Sequence, residues 1–161
     1  MRRNDREIRD MSEIFDALQR CDTVRIGIQG DKYPYVVPVS FGAERENEQI
    51  VLYFHCAKQG MKVNLINHNP YVCVESDHFI RTEEIRNGIT ARYESVIGFG
   101  KCEFLSSEEE ILHGLQVLIS HYGYDTQPLS TCKNLENVLV GKIVLESISG
   151  KRNLPKEQHN S

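Results

Sequence analysis

Residues 53–66 read YFHCAKQGMKVNLI, and the rest of the chain is best understood outward from them. The stretch begins as a strand, because Ile50, Leu52 and Phe54 alternate with Val51, Tyr53 and His55. The period then changes, and from about Ala57 the pattern predicts a helix ending near Asn69-Pro70. Lys58 and Lys62 are spaced for one face of that helix. Leu65 and Ile66 fall on either side of Lys62, so both ammonium groups point toward the apolar side. Gly60, Asn64 and Asn67 take the solvated side. Two cations at the start of a helix, beside free backbone N–H groups and a positive dipole end, call for an anion. One reading is a phosphate site. The other is a pair of lysines snorkelling past an apolar seam.

Upstream, Ser12 precedes Ile14, Phe15 and Leu18 and predicts a capped helix to about Arg20. The charged residues before it are expected at the surface. Thr23 to Gln29 alternates as a half-buried strand, and Gly30-Asp31 marks a hairpin turn. Tyr33 to Gly42 (YPYVVPVSFG) forms the next strand. Pro34 and Pro38 cannot donate to a ladder, so part of this strand is expected at an edge or bulge. Backbone groups freed there can meet the polar edge of a flat heteroaromatic ligand. Glu44 to Gln49 reads as a polar loop.

Downstream, Tyr71 to Phe79 is a strand and Ile80 to Gly88 reads as a charged loop. Ile89 to Phe104 is a long strand in which Gly98 and Gly100 mark a bulge or coil. Ser107 with Glu110 predicts a capping box, and the apolar repeat carries a helix to Tyr122, closed by Gly123. A loop with Pro128 and one helical turn at Asn134–Asn137 follow. Val138 to Ser149 is the last strand, and residues 153–161 are expected to be a disordered tail. Six mostly adjacent strands with short turns indicate an antiparallel sheet, and their lengths fit a small closed barrel with flanking helices.

At 161 residues the chain is expected to form one domain, spanning residues 1–152. A net charge of −4 with no long basic cluster argues against broad affinity for nucleic acid or membranes. The opening MRRNDR is too short and polar for a signal peptide, and no apolar run approaches about 18 residues. Five widely spaced cysteines without C-x-x-C suit reduced thiols and a cytoplasmic location. Cys56 adjoins the proposed anion site and is either reactive or a small buried residue. The histidines show no H-x-x-x-H spacing, so no metal site is expected.

Together, PYVVPVSFG (34–42), YFHCAKQGMKVNLI (53–66), Asn69-Pro70, RYESVIGFGKCEF (92–104), the opening MRR and Gly150-Lys151 resemble the pyridoxamine 5′-phosphate oxidase-like, FMN-binding split barrels. The nearest resemblance is to the nitroimidazole-resistance branch, and it spans Met1 to about Lys151. It implies a mainly β fold, a six-stranded antiparallel split barrel, and a homodimer with FMN at the subunit interface. It places Val37, Pro38, Val39 and Ser40 beside the isoalloxazine ring, and Lys58 and Lys62 near the phosphate. It places Tyr93, Ser95 and Val96 on a flavin-contacting strand of the partner subunit. His55 matches a histidine near the ring, where it would be the catalytic group; the alternative is a strand histidine bonded to backbone. Lys151 either reaches the cofactor or is an exposed strand-end lysine. One departure is clear: no arginine cluster matches the grip of the true oxidases on their substrate's phosphate. Arg86 and Arg92 are the only candidates, in a stretch expected to be solvated. Vitamin B6 oxidation is therefore not expected.

No nucleophile–base pair is legible, which sets hydrolysis and acyl transfer aside. The expected chemistry is reduction of a small, flat, electron-poor substrate, such as a nitroimidazole, with FMN as cofactor. The competing expectation is a flavin- or haem-binding carrier or sensor without turnover.

Overall fold

A computed structural model describes residues 3–124 and 137–155. After a 3-10 turn at Asn4–Arg6 come β1 (Glu7–Ile8), α1 (Met11–Gln19), β2 (Val24–Ile28), β3 (Tyr35–Val39), β4 (Phe41–Glu46) and β5 (Gln49–Ala57). Then follow α2 (Met61–His68), β6 (Tyr71–Ile85), β7 (Gly88–Phe104), α3 (Glu108–His121) and β8 (Val138–Asn153). The sheet is antiparallel throughout, in the order β3-β2-β6-β7-β8-β5-β4, with β1 added to β8.

The two edges of this order, β3 and β4, are consecutive in the chain and only Ser40 separates them. The chain therefore brings the open edges together at one residue, and the sheet curls into a barrel split at that point. This divides the expected Tyr33–Gly42 strand in two. With β1, it raises the strand count from six to eight among the described residues. Pro38 sits in edge strand β3, where a missing N–H costs no central ladder bond.

Inside the barrel lie Ile26, Ile28, Phe41, Leu52, Phe54, Val74, Val96, Ile143 and Leu145. α1 seals this core with Ile14, Ala17 and Leu18, and α2 with Val63 and Ile66. α3 lies outside, on β4 and β5, over a smaller cluster of Val51, Tyr53, Leu105, Leu115 and Val140. The bulge expected at Gly98–Gly100 is present as a register shift between Phe99 and Gly100 against β8. A Cβ on Gly100 would come within 2.2 Å of the Val144 carbonyl oxygen, so the close crossing admits only glycine.

Several local expectations change. The first helix is capped by Asp10, whose Oδ1 accepts from the Ser12 and Glu13 N–H groups, and not by Ser12. Ser107 does cap α3, accepting from the Glu110 N–H, but Glu110 answers through the Ser107 hydroxyl. Gly123, at φ 82°, ends that helix as expected. The 44–49 loop is instead the tip of the β4–β5 hairpin, turning at Asn47 with φ 57°. The 80–88 loop is likewise strand, because β6 and β7 stay paired out to Ile85–Gly88. Charge alone does not unpair a hairpin whose backbone is satisfied.

β8 extends four residues past its expected end, and Asn153 donates to Thr90 Oγ1 and the Ala91 carbonyl. The expected tail thus begins later than residue 153. The loop at Pro128, most of the turn at Asn134–Asn137, and the tail beyond residue 155 lie outside the described residues.

Candidate functional site

The split positions the first group of expected residues. The β4–β5 ladder ends with the pair Phe41–Phe54, and Ser40 and His55 are the next residues outward on the two strands. Both are exposed. Antiparallel register puts them on the same side at the mouth of the split. Phe41 is clamped there: its N–H donates to Tyr122 Oη at 3.2 Å, and that hydroxyl donates to the Asp22 carbonyl at 2.7 Å. The His121 ring stacks on Phe41 at 4.4 Å, held by Gln19 Oε1 and the Cys21 carbonyl. The end of α3 and the turn after α1 thus fix where β3 leaves one half of the barrel and β4 enters the other.

Along β3 the expected ring strand divides by face. Val37 and Val39 pair with Ile26 and Val24 and pack against the interior. Their side chains cannot meet a ligand outside, leaving only their backbone groups. Pro38 and Ser40 face out and are exposed.

The lysines need a correction. Lys58 is not on the helix. β5 stays paired with β8 as far as Ala57–Val138, so the strand persists where helix periodicity was expected to begin. Residues 58–60 bend, and α2 starts at Met61 after Gly60, whose φ of 135° few other residues tolerate. The common helix face for Lys58 and Lys62 therefore does not exist. Lys58 stands exposed in the bend, and Lys62 sits half-buried in the first turn of α2, next to buried Val63. Asn64 and Asn67 are solvated as expected.

Lys62 lies close enough to Cys56 to act on its thiol; burial pushes that thiol up, and the ammonium offsets only part of the rise. Cys56 is thus a buried thiol held protonated, not a reactive one. Among the described residues, Lys58, Lys62 and Lys151 make none of the ion pairs that engage Arg20, Arg25, Arg92, Lys142 and Arg152. Lys58 and Lys62, the two of these beside the split, thus have no protein anion among the described residues.

The second group lies elsewhere on the sheet. Ser95 pairs with Lys151 across β7–β8, and Tyr93 with Asn153, all facing outward. Val96 faces inward and is buried, so only its backbone is available. β2 and β6 separate β3 from β7, so Ser95 stands three strand spacings, about 14 Å, from Pro38 and Ser40. Ion pairs of Arg25 with Glu75 and Asp77 occupy the surface between. The structure does not bring the two groups into one pocket within a protomer. On the same outward face Tyr71, Phe79, Ile97 and Phe99 are 43–62% exposed.

Sequence reasoning missed the support beneath the second group. Glu94 alternates inward between Tyr93 and Ser95, is 3% exposed, and receives both arms of the Arg20 guanidinium at 2.6 and 2.9 Å. The signal was an acid at an interior position of an alternating strand. Arg92 also departs from its expected exposure. It is 12% exposed, paired with Glu83 and bonded to the Asn153 side chain and the Leu154 carbonyl. It is a structural tie.

The β2–β3 turn lines two open cavities of about 360 and 370 Å³, one toward α2 and one against Gly27 and Cys73. No group of metal-ligating side chains occurs among the described residues. No helix among them is long and apolar enough to cross a membrane.

These features define a split β-barrel domain with unpaired cations beside the split. The family model for pyridoxamine 5′-phosphate oxidase matches residues 10–152, and the chain belongs to that family. No curated protein matches the sequence. Among solved structures, a candidate 5-nitroimidazole antibiotic resistance protein from Bacteroides thetaiotaomicron is 28% identical, with TM-score 0.79 over 90% of this chain and 85% of that one. A flavocytochrome from Azotobacter vinelandii is 17% identical, with TM-score 0.76 over 96% of this chain and 72% of that one. An FAD-binding protein from Mesorhizobium loti is 22% identical, with TM-score 0.67 over 92% and 97%. The last two share the fold.

Proposed function

We propose that this chain is a flavin-dependent oxidoreductase, active as a cytoplasmic homodimer, that reduces a small planar electron-poor substrate of the nitroimidazole kind. The observation that carries the proposal is the placement of Lys58 and Lys62, cations without a protein anion, beside a split where Ser40 and His55 lie open. The donor set fits the mononucleotide portion of a flavin, FMN in its simplest form. Lys58 and Lys62 hold the phosphate. The backbone of Val37, Pro38, Val39 and Ser40 flanks the ring, and Pro38 and Ser40 present their outward side chains to it.

A bound flavin would supply the two-electron transfer. His55, exposed at the mouth of the split, is positioned to hand a proton to the reduced substrate. The separation of the two residue groups on the sheet supports the homodimer. Tyr93, Ser95, the backbone of Val96, and Lys151 complete the site from the partner subunit, and the bare face of Tyr71, Ile97 and Phe99 supplies the interface. Exposed large apolar side chains on one face suit such a contact. The four described cysteines are free, which agrees with a reducing compartment.

The test is spectroscopic. Purified protein should carry or take up flavin, bleach with a reduced nicotinamide donor, and recover its absorbance when a nitroimidazole is added. Flavin bound without substrate-dependent reoxidation would favour a carrier or sensor. Failure to bind flavin would overturn the assignment.

A further inference from the structure

We infer that Tyr122 and Gln19 are positioning residues for the site at the split: their side chains occupy the open edge of β4 and so fix the backbone at Ser40. The inference rests on the flavin reading above. β4 pairs with β5 alone, so its other edge has no strand beside it. In an antiparallel ladder the N–H and C=O groups of alternate residues point to the same edge, which puts those of Phe41 and Ala43 on one side together. Both residues are met there by side chains. Tyr122 Oη accepts from the Phe41 N–H at 3.2 Å, and Gln19 Nε2 donates to the Ala43 carbonyl at 2.9 Å.

Two helices thus do at this edge what a neighbouring strand does elsewhere in the sheet. An open strand edge otherwise leaves its backbone groups to water or to another chain. Each side chain is itself anchored. The Tyr122 hydroxyl donates to the Asp22 carbonyl at 2.7 Å, just before β2, and Gln19 Oε1 faces His121 Nδ1 at 2.8 Å. The first half of the barrel is therefore tied to the first residue of the second half through one phenol oxygen. Ser40 is the residue before Phe41 and the only one between β3 and β4. Whatever holds Phe41 sets the direction in which the chain crosses the split, and with it the backbone proposed to flank the ring.

Amide hydrogen exchange and FMN titration of the full chain test the inference. The Phe41 N–H should exchange slowly in the wild type and about tenfold faster in Tyr122→Phe. That variant should also bind FMN about tenfold more weakly and change the visible circular dichroism of the bound flavin. Gln19→Leu should act in the same direction. Tyr53→Phe is the control, because it removes a hydroxyl bonded to Glu46, at the far end of β4. Its melting temperature should fall by a similar amount, while FMN affinity stays within about twofold and the dichroism is unchanged. Tyr122→Phe removes a single oxygen and should fold, which its melting temperature checks; the wild-type exchange result stands without it. A Phe41 amide that exchanges freely in the wild type overturns the inference. So do Tyr122→Phe and Gln19→Leu proteins that bind FMN no worse than Tyr53→Phe, and either result leaves the flavin reading standing. Failure of the wild type to bind flavin overturns that reading and this role with it.

Discussion

Two outward faces of the same sheet are apolar, and only one is covered. On β5, Val51 and Tyr53 are 1% and 2% exposed because α3 lies across them. On β6 and β7, Tyr71, Phe79, Ile97 and Phe99 stay exposed. The contrast has a local cause. α3 presents Gly114 to Tyr53, where even a Cβ would come within 2.7 Å of the ring, so helix and sheet meet closely. Nothing among the described residues plays that part for β7. The covered face stabilises the protomer, and the bare face adds nothing to its core.

The largest expected effect separates the two faces directly. Tyr53→Ala should cost about 3–5 kcal/mol of unfolding free energy, the range for emptying a large aromatic from a core. Phe99→Ala should cost less than about 0.5 kcal/mol in dilute protein, where no partner covers it. Urea titrations at low protein concentration give both values. Equal costs would mean the bare face is packed within the protomer after all. If that face joins two copies, Ile97→Arg with Phe99→Arg should convert a dimer to a monomer in sedimentation velocity, since buried unpaired charge is poorly tolerated. A wild type that already sediments as a monomer would remove the interface from the argument.

The next effect contrasts cations on the two regions. Lys58→Gln with Lys62→Gln should weaken flavin binding about 100-fold, close to 2.7 kcal/mol, in line with two partly solvated charge pairs. Lys101→Gln, on the bare face beside Tyr71, should leave affinity unchanged. Calorimetric titration distinguishes them. If Lys101 matters and the pair beside the split does not, the phosphate lies on the wrong side of the barrel for the proposed site.

The parts of this molecule that were readable in its sequence are those fixed by local periodicity. Strand alternation in β2, β6, β7 and β8, the Ser107 cap and the glycine bulge before Lys101 all follow from neighbours in the chain. The split at Ser40 was only half legible. Pro34 and Pro38 announced an edge, but that the edge belongs to two strands depends on α3 returning Tyr122 to Phe41 from far along the chain. The lysine helix was misplaced for a related reason. Pairing of Ala57 with Val138 holds the strand beyond the point where the side-chain pattern changes period, and no local pattern shows a partner 81 residues away. Lys58 and Lys62 stood out in the sequence as cations beside an apolar run, but the helix face they were expected to share does not form, since α2 begins only at Met61. The Arg20–Glu94 support was not legible, because an acid at an interior strand position identifies itself only once its partner is known.

The smallest effect uses two thiols on opposite sides of one hairpin. Cys73 faces out beside Phe99, while Cys102 faces in, where burial pushes its thiol up to about 12. An unfolded cysteine ionises near pH 8.5, so the inward thiol keeps its proton in the native state after the unfolded chain has lost it. The group's contribution is therefore fully present below about pH 8.5 and is lost as pH rises toward 12, by at most about 1.4 kcal/mol per pH unit. Cys102→Ala should flatten the decline in urea midpoint between pH 8 and pH 10 relative to wild type; an identical slope would acquit this thiol. Cys73 supplies the outward control. In dilute protein at pH 8 it should alkylate before Cys102, as peptide mapping will show, and raising the protein concentration should slow it if a second copy covers the face. Protection that appears with concentration at Cys73 but never changes at Cys102 would mark the bare face, not the barrel, as the surface that closes on assembly.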